Sequence, residues 1–321
     1  MIEIKTASRL HLGLLDTNGS MGRLYGSIGV AIEHPNIVLT AEPADSLLVE
    51  GLETERVAKF ARRFLAHYPI QGGARLVLKN NIPNHVGLGS GTQLALAVGT
   101  ALVKLGGLNL SIEEIACAVG RGVHSGIGVN TFQKGGFVLD GGHRIEGITS
   151  SPGVNSIPPV LMRHPVPAEW RFVVVVPQVT EGFSGEREQA AFRNLPHSPV
   201  SQVEKISHLL LMKMLPALVE NDIGRFGEAL TQIQRLVGDS FAAVQGGRFS
   251  NRLSEEMIDF LLGQGATGAG QSSWGPTVYG LVQGEAAAQT LELAAKEYLA
   301  KHGPGQVFTA RADNHGAQIH F

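Results

Sequence analysis

The chain has 321 residues, of which 43% are hydrophobic and 17% are charged, so it can bury a sizeable core. The formal net charge is -2, with 26 Lys and Arg against 28 Asp and Glu. Neither half of the chain is markedly basic, so the sequence does not indicate nucleic-acid binding. The N-terminus lacks the apolar segment of a signal peptide, and the longest apolar stretch is too interrupted to span a bilayer. A single cysteine, Cys117, fits a reducing compartment and is expected to be a buried, inert thiol. These features predict a cytoplasmic protein.

Strands are predicted for most of the first fifty residues, which alternate with a period of about two in IEIKTASRLHLGLLD, NIVLTAE and SLLVE. Residues 54–68 place apolar side chains on one helical face and predict an amphipathic helix. ARLVLKN is a further strand, and a glycine-rich turn and an apolar helix follow it. Ser111 and Glu114 form the pattern of a capping box at the start of the next helix.

Residues 147–170 are rich in Pro, Ser and Gly and have no period, so we place a domain boundary there. The first domain is expected at 1–155 and the second at 165–321. RFVVVVP predicts a buried strand, and TVYGLVQ and QVFTA predict two more. Helices are predicted at about 185–193, 201–220, 222–237, 251–263 and 285–301. Strands and helices in both halves indicate an α+β fold.

The stretch of greatest interest is Gly87-Leu88-Gly89-Ser90-Gly91-Thr92, between a strand and an apolar helix. Glycines let backbone N–H groups approach an anion closely, and a helix N-terminus adds unsatisfied donors and a positive dipole end. The stretch has neither the Lys-Ser/Thr of a Walker A loop nor the third glycine of a dinucleotide fingerprint. It is a phosphate-binding loop or a tight turn with ordinary helix capping. Two further glycine clusters, at 120–136 and 265–280, favour the phosphate-binding loop.

These motifs resemble those of the GHMP kinase superfamily. IPNHVGLGSGTQLALA resembles its second motif, GATGAGQSSWGPTVYGL its third, and SRLHLGLLD occupies the place of the first. The resemblance implies an N-terminal α/β domain like domain 2 of ribosomal protein S5, with a left-handed βαβ crossover, and a ferredoxin-like C-terminal domain. It also implies that the glycine loop wraps phosphates. One position departs, because many of these kinases carry an Asp near the phosphoryl acceptor where this chain has Gly128.

Longer strings are similar to one subfamily, the β-ribofuranosylaminobenzene 5′-phosphate synthases. They include RLHLGLLDTNGSMGRLYGSIGVAIEHPNI, GRGVHSGIGV, GGFVLDGGH and HLLLMKMLPALVE, and the similarity covers about residues 4 to 321. It implies that phosphoribosyl pyrophosphate condenses with 4-aminobenzoate or 4-hydroxybenzoate, with loss of CO2 and pyrophosphate, in tetrahydromethanopterin biosynthesis. Mg²⁺ is expected, and no organic cofactor. The alternatives are an ATP-dependent small-molecule kinase of the superfamily and a non-catalytic phosphometabolite-binding protein.

The residues expected to bind phosphate are Gly87, Leu88, Gly89, Ser90, Gly91 and Thr92. The residues expected to bind substrate are Arg9, His11, Arg23, Asn130, Lys134, Ser184, Gly268, Gly270, Gln271, Ser272, Ser273 and Asn314. For several of them, a surface ion pair or a helix cap is the structural alternative. No catalytic residue or metal ligand is assigned, and the 12 histidines show no paired spacing typical of zinc. Neither nucleic acid nor membrane is an expected partner. The helix at 201–220 is more apolar than one core face requires. Core packing is the default explanation, and the alternative is that part of the helix forms the interface of an expected homodimer.

Overall fold

A computed structural model of the chain describes residues 1–145, 157–178 and 186–321, with the backbone alone for residues 186–189. The strands are β1 (Ile2–Asp16), β2 (Arg23–Ala44), β3 (Leu48–Gly51), β4 (Gly73–Asn80), β5 (Phe137–Asp140), β6 (His143–Arg144), β7 (Val160–His164), β8 (Trp170–Pro177), β9 (Gly268–Gln271), β10 (Val278–Gln283), β11 (Gly305–Ala310) and β12 (Gln318–His320). The helices are α1 (Thr54–His67), α2 (Ser90–Leu105), α3 (Ile112–Ala118), α4 (Ile127–Lys134), α5 (Glu186–Arg193), α6 (Val200–Leu209), α7 (Leu215–Val219), α8 (Ile223–Gln245), α9 (Arg252–Gly263) and α10 (Glu285–His302). Between α6 and α7 the chain forms a π-helical segment, Leu210–Met214. These elements confirm the α+β class.

The first sheet is built around β1 and β2, which pair antiparallel along most of their length. Its strand order is β12-β1-β2-β4-β3, with β5 and β6 also paired to β2, and β7 paired to β5. Strands β3 and β4 pair in parallel, and α1 connects them as the helix of a βαβ unit. The predicted apolar face of α1 is confirmed, because Val57, Phe60, Ala61 and Phe64 are buried.

Helix α2 is the central helix of this half of the molecule. Its buried residues lie on nearly every side, as expected for a helix that is apolar all round. It packs against α1, α3 and α4 as well as β1 and β2. A helix enclosed in this way holds its N-terminus, and the glycine loop before it, in a fixed place.

The second sheet has the order β11-β8-β10-β9, and every neighbouring pair is antiparallel. The chain runs from β8 through helices to β9 and β10, and then through α10 to β11. This strand order and connectivity are those of a ferredoxin-like domain, which confirms the predicted C-terminal fold. The strand predicted at RFVVVVP lies at its centre as β8, and all its residues are buried.

Several local predictions differ from the structure. Gly268 and Gly270 lie in strand β9 instead of a loop, and a Cβ on either would come within 2.5 Å of α8 atoms, at Gly227 and Gln234 respectively. These glycines therefore let α8 pack closely on the sheet. Much of the glycine cluster at 120–136 forms α4. Cys117 is exposed, because it lies on the outer face of the short helix α3.

The first sheet takes one strand from the range expected for the second domain. Near the C-terminus, β12 returns to pair with β1, and Ala312 bridges to Ile32. The boundary itself stays a prediction, because residues 146–156 lie outside the described ranges. Within those ranges, no helix is both long and apolar enough to cross a membrane.

Candidate active site

The N-terminal end of α2 is an open helix end beside the glycine loop. Gly89 is the N-cap residue with φ 83°, and no side chain of the described residues caps it. The N–H groups of Thr92 and Gln93 both donate to the Gly89 carbonyl at 3.1 Å. The first N–H groups of a helix have no intrahelical partner, so those of Ser90 and Gly91 remain for an anion. No acidic residue stands in the first turn to oppose one.

The glycines of the loop have close neighbours. Gly87 has φ 93°, and a Cβ there would lie 2.2 Å from the Ser272 carbonyl oxygen. A Cβ on Gly89 would lie 2.9 Å from Arg9 Cγ, and one on Gly91 would lie 3.2 Å from Arg121 Nη2. The glycines therefore serve close packing as well as backbone freedom.

Two arginines approach the loop from different elements. Arg9 on β1 donates from its backbone N–H to Leu88 O at 3.1 Å, and from Nη1 to Gly87 O at 2.5 Å. Arg121 follows α3, and its guanidinium lies over the Phe60 ring, 5.0 Å from the centroid. Both guanidinium groups add positive charge where the helix dipole is already positive.

The segment after β9 holds the loop from the other domain. Ser272 Oγ donates to Gly87 O at 2.6 Å and accepts from the His11 backbone N–H at 2.9 Å. The Thr277 N–H donates to Val86 O at 3.3 Å, and the Ser273 N–H donates to His11 O at 3.3 Å. The loop is thus clamped between β1 of the first domain and residues 272–277 of the second.

A buried polar network lies on the other side of His11. His11 Nε2 is 3.2 Å from Ser125 Oγ, and Ser125 Oγ is 2.6 Å from Ser27 Oγ. Ser27 Oγ donates in turn to Asp140 Oδ2, which also accepts from the Gly126 N–H at 2.9 Å. Burial raises the pKa of Asp140, while the hydrogen bonds it accepts favour its charged form. Burial, with the nearby charge of Arg9, lowers the pKa of His11 to about 3.

A cluster of aromatic rings adjoins both the network and the clamp. Tyr25 packs edge-on against His124 and Phe192, with centroids 5.6 Å away in each case. His124 stacks on Phe192 at 4.0 Å and 9°. Trp274 meets Phe192 and Phe241 edge-on, at 5.4 and 4.7 Å. Burial, with a contribution from His143, lowers the pKa of His124 to about 4, so its ring is neutral near pH 7.

Comparison with known proteins agrees with this architecture. The family described as GHMP kinases N terminal domain matches residues 55–135, and that described as GHMP kinases C terminal matches residues 214–301. The β-ribofuranosylphenol 5′-phosphate synthase of Methanothermobacter thermautotrophicus is 36% identical over 98% of this chain and 97% of its own length. That of Archaeoglobus fulgidus is 38% identical over 99% of both chains. The chain belongs to the β-ribofuranosylphenol 5′-phosphate synthase family.

The same family lies within the GHMP kinase superfamily by fold. Homoserine kinase from Cytophaga hutchinsonii superposes with a TM-score of 0.65 over 99% of this chain and 96% of its own, at 17% sequence identity. At that identity the likeness concerns the fold alone. The kinase alternative is therefore supported only by membership of the superfamily, whereas the more similar relatives are named as synthases.

Gly128 stands where the resemblance to GHMP kinases led us to expect an Asp, and it lies at a close packing contact. A Cβ on Gly128 would lie 2.9 Å from Thr92 Cγ2, at the contact between α4 and α2. Gln93 Nε2 also donates to Gly128 O at 2.8 Å. The two helices approach too closely here for a carboxylate side chain to be added without displacing Thr92.

The predicted substrate-binding residues fall into two groups. Arg9, His11, Ser272 and Ser273 meet at the loop and its clamp. The first group also includes Gln271, whose Nε2 donates to Ser273 O at 2.8 Å, and Asn130, which donates to the carbonyl of Gly126 in the network at 2.9 Å. In the second group, Arg23 donates to the carbonyls of Gly141 and Gly142 at 2.7 Å each, and Asn314 exchanges two bonds with the Val166 backbone. Lys134, also in the second group, is exposed in the last turn of α4.

Two other predicted residues are not brought to the loop. Gly268 and Gly270 pack against α8, and Ser184 lies outside the described residues. A role in substrate binding stays a prediction for all of these residues.

Four residues that surround the site were not predicted from the sequence: Ser27, Arg121, Ser125 and Asp140. Arg121 and Ser125 both lie in the segment GRGVHSGIGV, so the sequence alone shows that they are only four residues apart. The pairing of β2 with β5, which sets Ser27 opposite Asp140, has no local signal.

Proposed function

We propose that the protein is a pentosyltransferase that condenses phosphoribosyl pyrophosphate with a para-substituted benzoate, releasing CO2 and pyrophosphate. The observation that carries this proposal is the clamped glycine loop, where an open helix end and two arginines converge in a member of this synthase family. The proposed product is a β-ribofuranosylbenzene 5′-phosphate for tetrahydromethanopterin biosynthesis. The relatives are named for a phenol product, which corresponds to 4-hydroxybenzoate, and 4-aminobenzoate carries an equivalent para donor.

The reaction balances without removal of a ring proton. The bond between the anomeric carbon and the pyrophosphate oxygen breaks, and the electron pair leaves with pyrophosphate. The ring carbon that bears the carboxylate attacks the anomeric carbon, aided by the para donor. The bond to the carboxylate then breaks, and its electron pair restores the aromatic ring as CO2 leaves. A dedicated base is not needed for the C–C bond step, consistent with Gly128 in place of the kinase Asp.

Stabilisation of the leaving pyrophosphate is the main demand on the protein. Prepositioned N–H groups and cations at developing negative charge are the usual solution. The N–H groups of Ser90 and Gly91, with Arg9 and Arg121, have this character. Mg²⁺ is proposed to arrive bound to the phosphate oxygens of the substrate. The described residues contain no cluster of three or more His, Cys, Asp or Glu, and an ion held mainly by substrate phosphates and water requires none.

The aromatic cluster supports an aromatic acceptor. His124 and Trp274 stand beside Ser125 and Ser273, which belong to the network and the clamp. A flat, neutral ring is bound well by stacking on such side chains. We therefore assign the benzoate ring to the side of the site formed by Tyr25, His124 and Phe192.

The decisive experiment uses carboxyl-labelled 4-hydroxybenzoate and 4-aminobenzoate in parallel, each with phosphoribosyl pyrophosphate and Mg²⁺. Labelled CO2 should be released together with pyrophosphate in equal amounts. Folded protein that releases none from either acid would refute the proposal. Acceptor-dependent ADP formation from ATP would instead establish the kinase alternative. Tight binding of phosphoribosyl pyrophosphate without turnover of any acceptor would indicate the binding protein.

A homodimer and a cytoplasmic location stay predictions. Leu211, Met212 and Val219 are exposed around the π-helical segment, which agrees with the expected interface on this helix. Light scattering after gel filtration should give twice the chain mass of 34.1 kDa. A single-chain mass at micromolar concentration would exclude a stable dimer.

A further inference from the structure

The network from His11 to Asp140 has one consistent direction. Oδ2 of Asp140 accepts from the Gly126 N–H and Oδ1 accepts from the Gly142 N–H. As an ionised carboxylate, Asp140 has no proton to donate. Ser27 therefore gives its only hydroxyl proton to Asp140. The contact of 2.6 Å between Ser27 Oγ and Ser125 Oγ then requires Ser125 to be the donor.

This direction determines the tautomer of His11. Because Ser125 has used its proton on Ser27, its oxygen can only accept, and it already accepts from the Ile127 N–H at 3.2 Å. The contact of 3.2 Å with His11 Nε2 is a hydrogen bond only if Nε2 carries the proton. A neutral imidazole has one N–H, so Nδ1 carries a lone pair and is an acceptor.

His11 lies two residues along β1 from Arg9, which contacts the phosphate loop. Arg9, Leu10 and His11 pair with Ala31, Val30 and Gly29 without a register shift, so Arg9 and His11 share a face of β1. Their Cα atoms are roughly 6.6 Å apart at the usual rise of a strand. His11 is 8% exposed, and among the described residues no hydrogen bond reaches Nδ1. Nδ1 is therefore available to accept a hydrogen bond from a ligand donor.

We propose that His11, held as the Nε2–H tautomer by Ser125, Ser27 and Asp140, accepts a hydrogen bond through Nδ1 from a ribose hydroxyl of the bound phosphoribosyl substrate. This assignment rests on the proposed function. Ionised phosphates and carboxylates have no donor, so they cannot satisfy Nδ1. The hydroxyls at ribose carbons 2 and 3 are donors. In the proposed substrate they lie close to the diphosphate on carbon 1, which would bind at Arg9.

The electrostatic environment suits the same assignment. Ribose becomes cationic as pyrophosphate leaves, and a protonated imidazole beside it would oppose that charge. Burial and Arg9 keep the pKa of His11 far below neutral pH, so the ring stays uncharged. The carboxylate of Asp140 at the end of the network adds negative charge without contacting the ribose.

Two substitutions at His11 separate its two nitrogens. In His11→Gln the amide nitrogen takes the place of Nε2 and keeps the bond to Ser125, but the acceptor at Nδ1 is lost. In His11→Asn the amide oxygen takes the place of Nδ1, and the bond to Ser125 is lost. The matched control is His67→Gln, because His67 is an exposed residue at the end of α1.

The measurement is the preference for phosphoribosyl pyrophosphate over its 2-deoxy and 3-deoxy analogues, taken as a ratio of kcat/KM values. The intrinsic reactivity of each analogue cancels when the ratios of two enzyme variants are compared. We expect His11→Gln to reduce the preference over one analogue by about tenfold, the value of one hydrogen bond of a neutral pair. His11→Asn should keep more of the preference, and His67→Gln should keep all of it.

Equal preferences in the wild type and His11→Gln, for both analogues, would overturn the assignment. The assignment would also be overturned if the effect of His11→Gln on kcat/KM depended on the para substituent of the benzoate and not on the ribose hydroxyls. The same ratios can be measured as Kd values by calorimetry. These Kd ratios test the role of His11 even if the wild-type protein releases no labelled CO2. Failure to release CO2 would overturn the proposed function but not the assignment of His11.

Discussion

The groups on the two sides of His11 differ in charge. Toward the glycine loop, the site is made of backbone N–H groups and the cations of Arg9 and Arg121. Toward α4, it is made of a neutral imidazole, two hydroxyls and the buried carboxylate of Asp140. The first region suits an anion that leaves, and the second suits a sugar that becomes cationic. If the proposed reaction takes place here, the two regions would stabilise the opposite charges of the dissociating substrate.

The two regions also differ in how they tolerate substitution. In the loop, the main chain provides the donors, so steric changes should have the largest effects. In the network, side chains provide both donors and acceptors, so the loss of one partner leaves another buried and unsatisfied. Substitutions on each side therefore test whether the comparison holds.

The largest expected effect comes from Gly91→Val. The added side chain would meet Arg121 Nη2, which is 3.2 Å from the Cβ position, and would cover the open helix end. We expect CO2 release to fall by roughly a hundredfold or more, because donors to the leaving group are blocked. The melting temperature should change little. Gly263→Val is the control, since a Cβ there meets nothing within 4 Å. Normal activity in Gly91→Val would remove the loop from the mechanism.

The second effect concerns stability and pH in the network. The pKa of His11 is lowered to about 3 in the folded chain from its ordinary 6.5. The unfolded state thus binds the proton more readily, and the contribution of the neutral ring is complete above pH 6.5 and declines as pH falls. Between pH 7 and pH 5 the wild type should lose about 2 kcal/mol of unfolding free energy relative to His11→Gln. Urea titrations at several pH values measure this, and parallel curves would contradict it.

Much of the fold could be predicted from local sequence, because its signals are periodic or contiguous. The face of α1, the strand RFVVVVP and the capping box of Ser111 and Glu114 are confirmed. Strand β9 and helix α4 were missed because their glycines indicate loops. Their conformation is determined by close packing against α8 and α2, which no local pattern reports.

The candidate site divides in the same way. The glycine loop is one continuous stretch, and its chemistry could be predicted from composition and order. The network joins Ser27 to residues 98 and 113 positions later in the chain, Ser125 and Asp140. Only the pairing of β2 with β5, and the position of α4 beside them, brings these residues together. Cys117 was wrongly predicted to be buried. The general preference of cysteine for buried positions does not apply to this residue, which is exposed on a short surface helix.

A third effect tests the cationic side of the comparison. Arg121→Gln removes a positive charge beside the helix end while keeping a polar side chain of similar reach. We expect the KM for phosphoribosyl pyrophosphate to rise about tenfold, the value of one hydrogen bond to a charged group, with a smaller change in kcat. Arg62→Gln, at an exposed position on α1, is the control. Equal KM values in both variants would show that Arg121 does not bind the phosphoribosyl substrate.

The smallest effect concerns the aromatic side of the site. Phe192→Leu keeps an apolar side chain but removes the ring that stacks on His124 at 4.0 Å. If the benzoate binds among these rings, its KM should rise about fivefold, because one aromatic contact is worth about 1 kcal/mol. The KM for the phosphoribosyl substrate should not change. Phe260→Leu is a matched control, since Phe260 stacks on Tyr298 at 4.2 Å in the second domain. A rise in both KM values for Phe192→Leu would indicate that the cluster supports the whole site and does not bind the acceptor ring.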